Sequence, residues 1–166
     1  APGRFADILL MTDLPEMRQP NDARDEILRI LRCQDRGRTD PPHLSVRGIT
    51  QARDGTLWVA TGFSRQGGAA RYLEGKWTSL TVKDGLAGES TRSVYEEDEG
   101  RMWIGSEYDG ITVGSPGSWT VLTDKDGLAG YEVKVMTEDP DGTYWLGTNS
   151  GLSRIEKSAV PVRGQN

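Results

Sequence analysis

Three glycines, Gly55, Gly100 and Gly142, each sit at the centre of one recurring pattern of apolar and polar positions. Six residues before each glycine stands an aliphatic residue or methionine: Ile49, Val94 and Met136. Three residues after it stands a tryptophan: Trp58, Trp103 and Trp145, expected to be equivalent and largely buried. The tryptophans open Val59-Ala60-Thr61, Ile104-Gly105-Ser106 and Leu146-Gly147-Thr148. Asp54-Gly55 and Asp141-Gly142 favour a two-residue hairpin turn, because glycine accepts positive φ, and Glu99-Gly100 is a weaker version. Each copy therefore predicts strand, turn, strand. Further glycines, Gly67-Gly68, Gly110 and Gly151, precede a third short strand near residues 69–73, 111–113 and 152–155. The first two copies add a fourth strand opened by Trp77 or Trp119.

The hexapeptide Lys-Asp-Gly-Leu-Ala-Gly occurs at Lys83–Gly88 and again at Lys125–Gly130, 42 positions apart. Four short strands per repeat of this length predict a four-stranded antiparallel blade, and so an all-β chain of about three to four blades, a partial β-propeller. A lone blade is too small to be stable and buries its faces against its neighbours. The hexapeptide links the outer strand of one blade to the inner strand of the next, with Leu86 and Leu128 expected in the seams. The expected division is a blade at 45–88, a blade at 89–130, an incomplete blade at 131–160 and a tail at 161–166. After Ile155 no tryptophan-led strand follows, so two blade faces are expected to be open, with Ile49, Val94 and Met136 as the apolar residues between blades. The missing strand would come from elsewhere, such as Phe5 to Met11 in a ring-closing overlap.

Residues 1–44 allow two readings. Phe5 to Leu14 can be laid on Trp77 to Leu86, and Arg29 to Arg38 on Arg92 to Arg101, as an outer strand and a degenerate inner strand. The alternative is a short amphipathic helix capped by Asn21 or Asp22, with Ile27, Leu28, Ile30 and Leu31 on its apolar face. Pro41-Pro42 interrupts either one.

Composition narrows the function classes. Hydrophobic residues make up 35% of 166 and glycine numbers 21, which suits short strands and turns. A net charge of −5, with no basic excess, argues against nucleic-acid binding. The longest apolar run, Ile8 to Met11, is too short to span a bilayer. Cys33 has no second cysteine to pair with, and Ala1-Pro2-Gly3 fits a processed end or an internal fragment.

The stretches "DGTLWVATG", "EGRMWIGSEYDGI" and "DGTYWLGTNSGL", with the two "KDGLAG" links, resemble the two-component regulator propeller repeat over about residues 45–156. The resemblance implies blades of the kind found in periplasmic sensor regions of bacterial hybrid kinases, and so an exported location, periplasmic or extracellular. In this sequence there is no kinase, receiver or membrane segment beside the blades.

Candidate chemistry is sparse. His43 is the only histidine, so no metal site is expected, and no catalytic set or cofactor motif stands out. The string Glu96 to Glu99 lacks the spacing of a calcium loop and is expected to be a solvated turn. Eight residues before each central glycine stands a basic residue: Arg47, Arg92 and Lys134, with Arg29 in the doubtful copy. If they face the channel mouth they form a basic arc for an acidic glycan, a carboxylate or an acidic protein loop; otherwise each pairs with an acid of a neighbouring blade. The second-to-third-strand loops and the links should share one rim. There Phe63-Ser64-Arg65-Gln66 enlarges the first loop, and Glu89, Glu107, Tyr108, Tyr131 and Asn149 join it as contact candidates. The expectation is a non-enzymatic binding or scaffolding module that meets a protein partner or its own copies through open blade faces. The alternative is a sensor fragment that binds an acidic glycan.

Overall fold

A computed structural model describes residues 45–160. The expectations for residues 1–44 and 161–166, including the ring-closing overlap and the roles of Arg29 and His43, lie outside the described residues. The described chain is all β apart from three short 3-10 turns. The first blade has the strand order β1 (Val46–Gln51), β2 (Leu57–Phe63), β3 (Gln66–Leu73) and β4 (Lys76–Leu80). The second repeats it with β5 (Thr91–Glu96), β6 (Met102–Ser106), β7 (Ile111–Ser115) and β8 (Ser118–Leu122). The third holds three strands, β9 (Val133–Glu138), β10 (Thr143–Thr148) and β11 (Gly151–Glu156). All neighbours within a blade pair antiparallel.

The turns at the three central glycines differ from the two-residue form expected. Ala52 and Thr56 still pair, and Gly55 N–H donates to the Ala52 carbonyl at 2.9 Å. The loop is therefore three residues, Arg53-Asp54-Gly55, closed by a glycine at φ 87°. Glu97–Gly100 and Asp139–Gly142 repeat the bond at 2.9 and 2.8 Å, with φ of 86° and 82°. A type I turn followed by one left-handed residue satisfies Asp-Gly as well as the shorter turn does, and it fits the twist of the strands.

The repeated hexapeptide forms a capped single turn. Thr81 caps Val82–Asp84, and the Asp84 side chain accepts from the Thr81 backbone at 2.9 Å. Thr123 and Asp126 do the same around Asp124–Asp126. The chain then drops Leu86 and Leu128 into the seams, where both are buried. The next residue fastens each link to the blade it is about to enter. Ala87 N–H donates to Thr112 Oγ1 at 2.7 Å, and Ala129 N–H donates to Ser153 Oγ at 2.8 Å. Gly88 and Gly130 follow because a Cβ there would strike Asp109 and Ser106, or Asn149 and Thr148.

Among the described residues the core consists of two seams. Trp58, Ala69, Leu80 and Leu86 meet Met102, Ile104 and Trp119, with Val94 packed against them. The rings of Trp58 and Trp119 meet edge to face at 6.4 Å. In the second seam Trp103, Ile111, Leu122 and Leu128 meet Val133, Met136, Tyr144, Leu146 and Val160. Trp103 lies 4.7 Å from Tyr144 between ring centroids. Burial of these side chains against the neighbouring blade is the main stabilising term, since none can be covered within its own sheet.

Two expectations need correction. Trp145 is half-buried, not largely buried like Trp58 and Trp103, because no described blade covers its side of the sheet. The apolar residues expected at blade faces divide as the neighbours dictate: Met136 is buried and Val94 partly buried in the two seams, and Ile49, with no described blade before it, is 51% exposed as an open face requires. The string Glu96 to Glu99 is not wholly a solvated turn, since Glu97 is 0% exposed. Its carboxylate accepts from Trp103 Nε1 at 3.1 Å and from Arg101 Nη2 at 3.1 Å, and Arg101 Nε also contacts it. Burial pushes the Glu97 carboxyl up, but bonds from Arg101, Tyr144 and Trp103 outweigh it and hold the group below its ordinary value. Burial, then the nearby Glu97, raises the Tyr144 hydroxyl. Asp139 holds the same place in the third blade and accepts from Trp145 Nε1 at 2.5 Å.

Candidate functional site: a basic cleft at the link rim

Each inner strand enters its blade through a β-bulge. Val46 pairs with Thr61 but Gly48 pairs with Ala60, so Arg47 is the extra residue. The same shift falls between Thr91 and Ser93 at Arg92, and at Lys134, where Val133 pairs with Thr148 and Val135 with Gly147. A bulge re-aims the side chain it inserts. Here it gives three consecutive blades a basic group at one rim. Arg47, Arg92 and Lys134, with Glu132, line a cleft of about 340 Å³.

The acids around this cleft are unevenly placed. Arg92 Nη2 lies 3.1 Å from Glu107 Oε1, in its own blade, and 2.6 Å from Glu132 Oε1, in the next. Lys134 Nζ lies 3.6 Å from Glu132 Oε2. The expected alternative, pairing with acids of neighbouring blades, thus holds for Arg92. The pairing is imperfect in direction: Arg92 Nε is buried without an acceptor, and Glu132 Oε1 accepts no aligned hydrogen bond despite its short contact. Glu107 is further held by Ser90 Oγ at 2.6 Å. Arg47 differs from the other two. Its Nε donates to the Gly62 carbonyl at 3.0 Å and its guanidinium lies 5.5 Å from the Phe63 ring. Among the described residues it has no carboxylate partner.

The links and the second-to-third-strand loops do share this rim. Glu107 N–H donates to the Ser90 carbonyl and Gly110 N–H to the Tyr131 carbonyl, both at 2.8 Å. Asn149 N–H donates to the Glu132 carbonyl, and Asn149 Oδ1 accepts from Glu132 N–H, both at 3.1 Å. Phe63 is exposed, and the segment 63–66 continues the strands instead of widening the loop: Phe63 pairs with Gln66 around a two-residue turn. Ser64 and Arg65 occupy that turn at φ 52° and 62°, a left-handed pair that ordinarily selects Asn-Gly. The turn sets Arg65 over the Tyr108 ring at 4.6 Å, with Nη1 4.0 Å from Asp109 of the next blade. Glu89 and Tyr131 are exposed in the links. Of the predicted contact residues, only Arg47, Arg92 and Lys134 line the cleft. Glu132 was not anticipated, because the corresponding positions are Ser45 and Ser90 and no repeat pattern marks it.

Among the described residues no group of three or more His, Cys, Asp or Glu is placed to hold a metal ion, and no helix is long and apolar enough to cross a membrane.

No curated protein matches the chain significantly. Similar solved structures include the extracellular domain of the hybrid two-component system BT3049 from B. thetaiotaomicron, with 24% identity and a TM-score of 0.56 over 66% of this chain and 15% of that one. The extracellular domain of the BT4673 system from the same organism gives 21% identity and a TM-score of 0.56 over 70% of this chain and 18% of that one. The chain thus spans less than a fifth of the length of either neighbour. The family model for the two component regulator propeller matches residues 40–63 and 127–150, each covering an inner-strand hairpin with its tryptophan or the link that leads to it. Two of the repeats, those of Trp58 and Trp145, match the two component regulator propeller model, and the fold that the repeats build is that of β-propeller blades.

Proposed function

We propose that the chain is a non-enzymatic binding module, a run of propeller blades that serves as the recognition part of a larger assembly outside the cytoplasm. The observation that carries this is the free side of the third blade. Val135 and Leu152 lie in register across Gly147 and are 60% and 63% exposed. Their counterparts across Gly105 are Ser93 and Ile111, and there the third blade closes over the sheet: Ser93 Oγ donates to the Val133 carbonyl at 3.1 Å, and Ile111 is buried. Half-buried Trp145 repeats Trp103 on the same side. The free face therefore has the residues of a blade-binding face without a described blade on it, and contiguous apolar surface of this kind marks interaction sites. The extracellular origin of both structural neighbours, and a matched model that is a propeller repeat and not a catalytic family, support this reading. Sedimentation equilibrium tests it. Concentration-dependent association of the purified chain is expected. A monomer that co-purifies with nothing and does not associate removes the scaffold function.

A second reading, a sensor piece that binds an acidic glycan or another small acid, is favoured by the basic cleft.

A further inference from the structure

Arg92 and Arg47 occupy the same bulge position in consecutive blades, and their surroundings differ in one respect. The acids that face Arg92 come from two places: the residue just past the second strand, Glu107, and the residue just before the next inner strand, Glu132. In the first blade those two places hold Gly62 and Ser90. The two are adjacent there too, since a Cβ on Gly62 would lie 2.8 Å from the Ser90 Cα. Among the described residues Arg47 thus has the position of an ion-paired arginine without the carboxylates that would pair it.

We propose that the cleft lined by Arg47, Arg92, Glu132 and Lys134 is a binding site for a carboxylate group on a small molecule. In this site Arg47 supplies the open cation, Arg92 and Lys134 flank it, and Glu132 acts as a built-in competitor. The ligand's carboxylate stands by Arg47 where Glu107 and Glu132 stand by Arg92. A planar guanidinium fork suits that group. One further observation fits. The cleft, about 340 Å³, falls at the small end of ordinary ligand sites. Glu107 and Glu132 already occupy Arg92, and Glu132 also meets Lys134, so the charge left for an entering anion is that of Arg47 and in part Lys134, and the attraction falls with salt.

The inference rests on the rim as a ligand surface and not on the free face of the third blade, so the two fail separately. A chain that stays monomeric yet binds an acid keeps this proposal and loses the other. The probe pair is glucuronate and glucose, which share a ring and differ by the carboxylate, titrated calorimetrically into the full 166-residue chain. Glucuronate is expected to bind and glucose not, with affinity falling as salt rises. N-acetylaspartate carries the same group on an amino-acid frame. Its binding in place of glucuronate also supports a carboxylate site and assigns it to a peptide acid instead of a sugar acid. Arg47→Ala is expected to weaken binding about tenfold, the size of one lost charge-assisted contact. Glu132→Gln is expected to strengthen it several-fold, a gain that a merely structural role for Glu132 would not produce. If Arg47→Ala does not fold, Lys134→Ala, on an exposed side chain, reads the same loss. The proposal is overturned if neither acid binds the wild type or Glu132→Gln. Equal binding of glucose, or binding indifferent to all three substitutions, overturns it as well.

Discussion

Trp103 and Trp145 hold one position in the repeat and differ only in what lies over them. Trp103 is 1% exposed, packs on Tyr144 and donates to buried Glu97. Trp103→Ala should cost about 3–5 kcal/mol, and Trp145→Ala less, about 2 kcal/mol, because part of its surface already meets water. Urea unfolding of the two variants checks the ratio, and equal losses would contradict the seam assignment. Glu97 adds a pH dependence. A carboxyl held below its ordinary 4.5 in the fold lends stability that is complete above that value and drains away as pH falls through and below it. Acid unfolding should therefore steepen below about pH 4.5, and Glu97→Gln should remove part of that slope while lowering stability at neutral pH. The tryptophans and central glycines were legible from spacing alone. Glu97 was not, although the sequence held a clue: an acid stands six residues before both Trp103 and Trp145, and alanine, Ala52, before Trp58. An acid inside an acidic string looks like surface until the indole that pairs with it is placed.

At the scale of elements, strand order and links followed from the repeat, and the exact turns did not. Asp-Gly serves a two-residue turn and a three-residue turn alike, so the dipeptide could not decide between them. The bulges were hidden for a related reason: one added residue shifts the alternation by one place, and a basic side chain at that place looks like an ordinary solvent-facing position. The capping box around the link was written plainly as Thr81-Val-Lys-Asp84 and Thr123-Asp-Lys-Asp126. Thr123→Ala should cost about 1 kcal/mol by removing the cap of a turn that seats Leu128 in the seam. A thermal shift indistinguishable from wild type would show that the link is held by Leu128 and Ala129 alone. The hairpin at Ser64-Arg65 offers the opposite sign. Two non-glycine residues at positive φ store strain, so Ser64→Asn should raise stability by about 0.5 kcal/mol, while leaving Arg65 over Tyr108.

For the molecule as a whole, the third sheet has three strands among the described residues where the first two have four, and one of its sides is bare. Blade faces are not interchangeable. The side of the third blade that meets the second carries Tyr144, Leu146 and Met136 and is sealed, whereas the other side presents Val135, Leu152 and Trp145. A charge placed on the free side should therefore act on association alone. Val135→Lys and Leu152→Lys are expected to leave the urea midpoint within about 0.5 kcal/mol of wild type, as substitutions at exposed sites do. Both should abolish concentration-dependent association, since burying an unpaired ammonium against an apolar blade is costly. Val133→Lys serves as the contrast: Val133 lies on the same inner strand but is fully buried beneath Trp103 and its neighbours, so that variant should fail to fold. Sedimentation velocity over a wide concentration range, run beside urea unfolding, separates these outcomes. If the Val135→Lys and Leu152→Lys variants associate like wild type, the free face of the third blade is not the surface through which the module works, and its role would have to rest on the basic rim.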